Sequence, residues 1–223
     1  AQQFGSAGKR RAIVNIGGIA NFTWLPAGNH PAEVFSTDIG PGNTIIDAFV
    51  SRHYARQRFD KDGAIALSGN VNENLLNELL RHDFFSCPVP KTTGPEVFNL
   101  DYLNQARLRS QTLYIPNEDV VATLTAFTAK AIAHGIIMTA TSTSAIMVYV
   151  SGGGARNKAL MAAIADELPD FISLKNLSEL GIDADAKEAL LFAILANETL
   201  AGSPCFEGNL FGIPNTNMGK ISL

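Results

Sequence analysis

Ala12-Ile-Val-Asn-Ile-Gly-Gly-Ile-Ala-Asn-Phe-Thr-Trp-Leu25 carries the strand and turn signals from which the topology follows. Two runs rich in β-branched and aromatic residues, Ala12 to Ile16 and Ile19 to Leu25, flank Gly17-Gly18. Such a dipeptide can take the positive φ angles of a tight turn, so the segment reads as a β-hairpin. Pro26, Gly28, Asn29 and Pro31 then make a turn, and Glu33-Val-Phe-Ser-Thr37 reads as a third strand. Three consecutive antiparallel strands are expected to open the chain.

Working outward, Asp38-Ile-Gly-Pro-Gly-Asn43 is expected to break that strand, after which Ile45, Ile46, Phe49 and Val50 recur at helical spacing with Asn43 as N-cap. A second helix is predicted over Val71 to Leu80, followed by a proline-stiffened loop from Cys87 to Pro95. Pro116-Asn-Glu-Asp119 is a helix start with Asn117 as cap, and Val120, Leu124, Phe127 and Ala131 form its apolar stripe. A buried-type strand, Ala145 to Val150, leads through glycines into a helix from Asn157 to Leu168, and Phe171 to Leu174 is a short strand. Ala186 to Ala201 carries Leu190, Leu191, Ile194 and Leu195 on one helical face, with Gly202 at its C-terminal end. Strands first and then alternating helices and strands imply an α/β mixed sheet flanked by helices, not a bundle or a sandwich.

Composition narrows the function classes. The 223 residues are 46% hydrophobic and 17% charged, enough apolar surface for a sizeable core. With 17 basic against 21 acidic residues, net charge −4 and no Lys/Arg stripe, a nucleic-acid surface is not expected. Cys87 and Cys205 stand far apart in no zinc or CxxC spacing, which fits a reducing cytoplasm. Residues 1–11 read as a linker or cut end, 12–203 as the folded domain and 204–223 as an irregular tail. The apolar region from Ala131 to Val150 is interrupted by His134 and by Thr139 to Ser144, so no membrane span is expected from it.

Three loops carry chemistry. In Asn15-Ile-Gly-Gly-Ile-Ala-Asn21, a tip without side chains at Gly17 and Gly18 lets backbone amides approach an oxyanion, and Asn15 and Asn21 add amide donors. In Thr37-Asp-Ile-Gly-Pro-Gly-Asn43, Asp38 leaves a strand beside Gly40 and Gly42, placed to serve as a Mg²⁺ carboxylate or a sugar-hydroxyl acceptor. In Ser151-Gly-Gly-Gly-Ala-Arg-Asn157, Gly152, Gly153 and Gly154 let a flat or phosphorylated ligand lie against the main chain at a strand's carboxyl end. The plain alternatives are a Gly-Gly hairpin, an Asp turn with an Asn cap, and a turn capped by Asn157. None of the three is a GxGxxG or GK[ST] motif, so neither a Rossmann nor a Walker site is supported.

The remaining polar residues say less. His30, His53, His82 and His134 show no ligand spacing and read as surface or core histidines. Asp60 and Asp62 in Phe59-Asp-Lys-Asp-Gly63 read as a turn, and Glu188 either points into a cleft or supports its helix N-terminus.

Taken together and in this order, Val14 to Asn21, Asp38 to Asn43 and Ser151 to Asn157 resemble the anhydro-N-acetylmuramic acid kinases of the sugar kinase, heat-shock protein and actin superfamily. Phe59 to Asp62, Pro90-Lys-Thr-Thr-Gly94 with Phe98-Asn99, and Glu188-Ala-Leu-Leu-Phe-Ala193 extend the resemblance from Ala12 to Gly202. It implies a ribonuclease-H-like domain, ATP and Mg²⁺ as cofactors, and a cytoplasmic enzyme of peptidoglycan recycling. That enzyme would open the 1,6-anhydro ring with water and phosphorylate O6 to give N-acetylmuramic acid 6-phosphate. Asn15 to Asn21 would be the second phosphate loop and Gly152 to Asn157 the adenosine loop, with Asp38 and Asn43 near phosphates or metal and Glu188 near substrate.

The family's GTSxDG loop and GDFR-type segment, which carries the general base, do not occur in these residues. The chain is therefore expected to be the C-terminal half of such an enzyme, inactive alone, with the catalytic base assigned to no position in it. Phosphoryl transfer depends on donors surrounding the γ-phosphate, and half of them stabilise its transition state little. An exposed inter-domain face would favour weak self-association into a homodimer. A non-catalytic nucleotide-binding module and a plain structural domain stay open beside this reading.

Overall fold

Alternate burial along the first strand sets the layering. In β1 (Arg10–Ile16), Ala12, Val14 and Ile16 are buried while Ile13 and Asn15 face the other side, and β2 (Ile19–Leu25) repeats the alternation with Ala20, Phe22 and Trp24 buried. The computed structural model describes residues 9–28, 33–140, 143–181 and 187–201. Within them follow β3 (Phe35–Pro41), α1 (Thr44–His53), α2 (Ala64–Ser68), α3 (Glu73–Leu79), α4 (Leu100–Arg109), α5 (Asn117–Thr139), β4 (Ile146–Ser151), α6 (Lys158–Glu167), β5 (Ile172–Asn176) and α7 (Lys187–Ala201).

The sheet order is β3-β2-β1-β4-β5, with β1, β2 and β3 mutually antiparallel and β4 and β5 parallel to β1. This is the ribonuclease-H-like arrangement. Parallel strands need a crossover, and residues 44–139 supply it between β3 and β4. Ala129, Ile132 and Ile136 of α5 pack with Leu160 and Ile164 of α6 against Val14, Phe22 and Val148. The other side of α5 joins a second core in which Phe49, Leu75, Phe98, Leu103 and Phe127 meet. By length and composition α5 is apolar enough to cross a membrane, but 78% of its most apolar window is buried inside the fold. Gly135 brings α5 close to the sheet, since a Cβ there would lie 2.4 Å from Ile39 Cγ2.

Several local expectations are corrected. Strand pairing starts at Arg10, so the last two residues of the expected linker, Arg10 and Arg11, belong to β1 and register with Ile146 and Met147. The third strand does not end at Thr37. It runs through Asp38 to Pro41 because β2 continues to pair with it, past an irregularity at Ala20/Asn21. Gly17 and Gly18 do not take positive φ. Gly18 is instead demanded by proximity, as a Cβ there would stand 2.7 Å from Thr44 Oγ1.

Asn43 occupies the N-cap position of α1, but its side chain makes no capping bond. Pro116 takes the cap position of α5, so Asn117 is the first helical residue. The second predicted helix starts at Glu73, because Asn72 caps it by accepting from the Leu75 amide, and Val71 lies outside. Helices α2 and α4 carry no strong periodic stripe in the sequence and went unpredicted. His30, Gly202, Cys205, residues 1–8 and the tail from Pro204 lie outside the described residues.

Candidate functional site

All three glycine loops meet at one end of the sheet. The hairpin carbonyls do the joining: Gly42 and Thr44 amides donate to Gly18 O at 2.8 and 3.1 Å, and the Asn43 amide donates to Gly17 O at 2.8 Å. Amides that a helix start leaves without partners are thereby satisfied by the tip of the neighbouring strands. The side chain of Asn43 is left to face the third loop. Its Oδ1 lies 3.3 Å from where a Cβ of Gly154 would stand, and its Nδ2 3.9 Å from that of Gly153.

Glycine serves two purposes in this cluster. Gly152 has φ +87°, and a Cβ on it would approach Ile16 O to 2.6 Å, so the turn after β4 is pressed onto the end of β1. Gly42 and Gly154 are equally closed, with Cβ positions 2.3 Å from Gly17 O and from Ile16 Cγ2. Gly40, at φ +139°, has Phe85 and Ala131 against it and lies within the packing. Gly17 and Gly153 differ, because nothing comes closer than 3.6 Å and 3.9 Å to their Cβ positions. At these two a Cβ would meet only ordinary van der Waals contact.

A polar row crosses the sheet directly behind the loops. Asp38 registers with Asn21, Asn21 with Asn15, and Asn15 with Ser151 on four successive strands. Cross-strand partners point to the same face, so the sequence-selected Asn15, Asn21 and Asp38 share a surface. Ser151 donates to Val14 O at 3.1 Å and lies 3.5 Å from Asn15 Oδ1.

At the end of that row, Asp38 latches the loop before α4. Its Oδ2 accepts from the Thr92 hydroxyl at 2.8 Å and the Thr93 amide at 2.9 Å, and its own amide donates to Lys91 O. The Thr93 hydroxyl is buried beside it without a hydrogen-bond partner among the described residues. Lys91 is turned back into its loop, donating to the Phe84 and Cys87 carbonyls.

Beside the glycine turn opens a cleft of about 480 Å³ lined by Asn43, Asp47, Phe59, Lys61, Gly153 and Arg156 among others. Asp60 shapes one wall: its two carboxylate oxygens accept from the Ile65 and Ala66 amides at 2.8 and 3.0 Å, holding the start of α2. Asn157 is also committed, its Oδ1 accepting from the Leu160 amide as N-cap of α6. Partial burial and the nearby Asp60 charge raise the Asp47 carboxyl to about 6. Asp47, Phe59 and Lys61 were not selected as site residues. The available signal was the spacing of Asp47 from Asn43, one helical turn, together with the quoted Phe59 to Asp62 segment.

Other predicted residues fall elsewhere. Glu188 belongs to α7, and its side chain lies outside the described residues. His53 stacks on Phe49, and His82 Nδ1 accepts from the Phe84 amide. His134 is exposed on α5. Among the described residues no group of three His, Cys, Asp or Glu gathers as a ready metal site.

Comparison with known proteins places this geometry in context. The family model described as anhydro-N-acetylmuramic acid kinase matches residues 2–216. The anhydro-N-acetylmuramic acid kinase of Pseudoalteromonas atlantica is 52% identical over 220 residues, covering 98% of this chain and 55% of that protein. That of Caldanaerobacter subterraneus subsp. tengcongensis is 40% identical over 221 residues, covering 95% of this chain and 54% of that protein. The chain thus spans about half the length of the curated relatives it matches. A solved structure, the activator of 2-hydroxyisocaproyl-CoA dehydratase from Clostridium difficile with bound ADPNP, aligns at a TM-score of 0.37 and 17% identity, over 83% of this chain and 64% of that one. So low a score adds nothing to the fold read from the strand order.

Proposed function

This chain belongs to the anhydro-N-acetylmuramic acid kinase family, and from that premise we propose that it supplies the nucleotide-holding half of an ATP-dependent sugar kinase. The convergence of Gly17-Gly18 with Gly153 on one sheet end is the observation that carries the reading. Main chain without side chains suits phosphate oxygens, which backbone amides approach closely.

The residues also fit the two groups the family implies. Gly153 lines the cleft without a side chain, which leaves its main chain accessible to a nucleotide. Asp38 keeps one carboxylate oxygen beyond the two bonds to its latch. A single carboxylate suits Mg²⁺, which is usually held by one or two carboxylates together with substrate phosphates. When bound, that ion supplies charge neutralisation at the phosphates. This chain's own part is positioning: Asn43 and the Gly153 turn seat the nucleoside side, the hairpin tip orients the phosphates, and Asp38 holds the loop of Thr92 and Thr93 against the sheet.

The substrate assigned to the whole protein is 1,6-anhydro-N-acetylmuramic acid, opened with water and phosphorylated on O6 to give N-acetylmuramic acid 6-phosphate in peptidoglycan recycling. We place the general base of that reaction outside these residues, and the chain alone is expected to turn over negligibly. A cytoplasmic setting and a homodimer are part of the same proposal. Exposed Leu191 and Phe192 of α7, 52% and 67% accessible, are the surface that supports association.

Calorimetric titration of the chain with Mg-ATP tests the reading, with one-to-one binding expected. In a protein of the relatives' full length, ATP consumption should depend on the anhydro sugar. No heat at millimolar nucleotide, with no thermal shift, contradicts the proposal.

A further inference from the structure

The cleft beside Gly153 contains a carboxylate whose surroundings do not answer it. Asp47 is half-buried on the cleft wall, and no described residue donates a hydrogen bond to it. Its neighbours are committed otherwise, Asp60 to the Ile65 and Ala66 amides and Asn157 to the Leu160 amide. The Asp47 oxygens face the cleft rather than a protein donor, so a ligand entering there can supply the donor in place of solvent.

Which part of a ligand meets it follows from charge and shape. A carboxylate repels phosphate oxygens, so the phosphates belong at the hairpin tip and the uncharged part of the ligand belongs beside Asp47. Phe59, 56% exposed, lines the same cleft and places an aromatic ring there, which suits a flat heterocycle. We infer that Asp47 is a specificity-determining residue of the nucleotide site, accepting a hydrogen bond from a hydroxyl or amino group of the nucleoside. The inference rests on the nucleotide reading above and names what that site selects.

Among the described residues, the charged groups sharing the cleft are Asp60, Lys61 and Asp62 of the loop before α2, and Arg156 of the turn before α6. Burial, with the Asp60 charge beside it, raises Asp47 to about 6 in the free protein. A donor bound to Asp47 favours its ionised form, so affinity should rise as pH increases through that value.

The test is titration of the chain with Mg-ATP, its 2′-deoxy and 3′-deoxy analogues and inosine triphosphate, at pH 5 and 7.5, in wild type and Asp47→Asn. Wild type should bind ATP more tightly at pH 7.5, and the variant should bind about tenfold more weakly there, the loss expected for one charge-assisted hydrogen bond. The ATP γ-phosphate titrates in the same range, so the difference between the two proteins is the readout. A hydroxyl contact weakens one deoxy analogue about tenfold, whereas an amino contact weakens inosine triphosphate by that factor, and the variant loses the discrimination. Analogue ranking in the wild type decides the matter even if the variant folds poorly. Equal affinity for all four nucleotides, or a variant matching wild type in affinity and pH response, overturns the assignment alone. No binding of any nucleotide overturns the nucleotide reading and this inference together.

Discussion

A Cβ on Gly42 would stand 2.3 Å from the carbonyl oxygen of Gly17. The hairpin tip and the start of α1 are therefore pressed together through main chain alone, with the Asn43 amide bonded to that same carbonyl. Gly42→Ala should force the two apart and destabilise the chain by about 2 kcal/mol or more, read as a lowered urea midpoint. Gly153→Ala, with no atom closer than 3.9 Å to its Cβ position, should unfold within about 0.5 kcal/mol of wild type and yet bind Mg-ATP more weakly. Equal loss of stability in both variants would contradict the division into closed and open glycines.

Asp38 combines a latch with a charge, and two substitutions separate them. Asp38→Ala leaves the Thr93 amide without its acceptor and should cost about 1–3 kcal/mol in urea unfolding. Asp38→Asn keeps an acceptor oxygen and should stay closer to wild type while raising the Mg²⁺ concentration needed for nucleotide binding. If Asp38→Asn titrates Mg²⁺ as wild type does, Asp38 is a latch only.

Stability should depend on pH through Asp47. Its carboxyl is raised from 3.8 to about 6 in the folded chain, so the folded state is favoured most below pH 4 and loses that advantage as pH rises through about 6. Asp47→Asn removes the loss. Its melting temperature should exceed that of wild type at pH 7.5 and match it at pH 4. A lower melting temperature at pH 7.5 would show that Asp47 stabilises the fold through a partner.

Asp60 links the cleft to the helix behind it. Asp60→Asn removes the neighbouring charge named beside burial as a cause of the Asp47 shift, so Asp47 should titrate closer to 3.8, a change that carboxyl NMR reads directly. Asp60→Ala also strips the amides of Ile65 and Ala66 of their acceptor and should cost about 1–2 kcal/mol.

Strand periodicity made most of the sheet legible in the sequence. Ala12, Val14 and Ile16 alternate with half-buried residues, and β4 reads as a buried apolar run, so the hairpin and the β4 turn were found within two residues. What escaped was set by tertiary contact. β3 continues through Asp38-Ile-Gly-Pro because β2 is there to pair with it, which propensity cannot register. α4 buries only Leu103 and Ala106, too thin a stripe for periodicity to reveal. Within the site, the glycines were visible as punctuation, but only proximity sorts Gly42 and Gly154 from Gly17 and Gly153. Asp47 was hidden because an acid in a first helical turn has an ordinary explanation in the helix dipole.

On this reading, backbone amides of the joined glycine loops hold the nucleotide. Amide chemical shifts of the ¹⁵N-labelled chain during Mg-ATP titration test it most directly. Saturable shifts at Gly17, Gly18, Gly153 and Gly154 are expected. Shifts confined to the neighbouring groove of Tyr54, Arg56 and Arg58, with the four glycine amides unmoved, would contradict it.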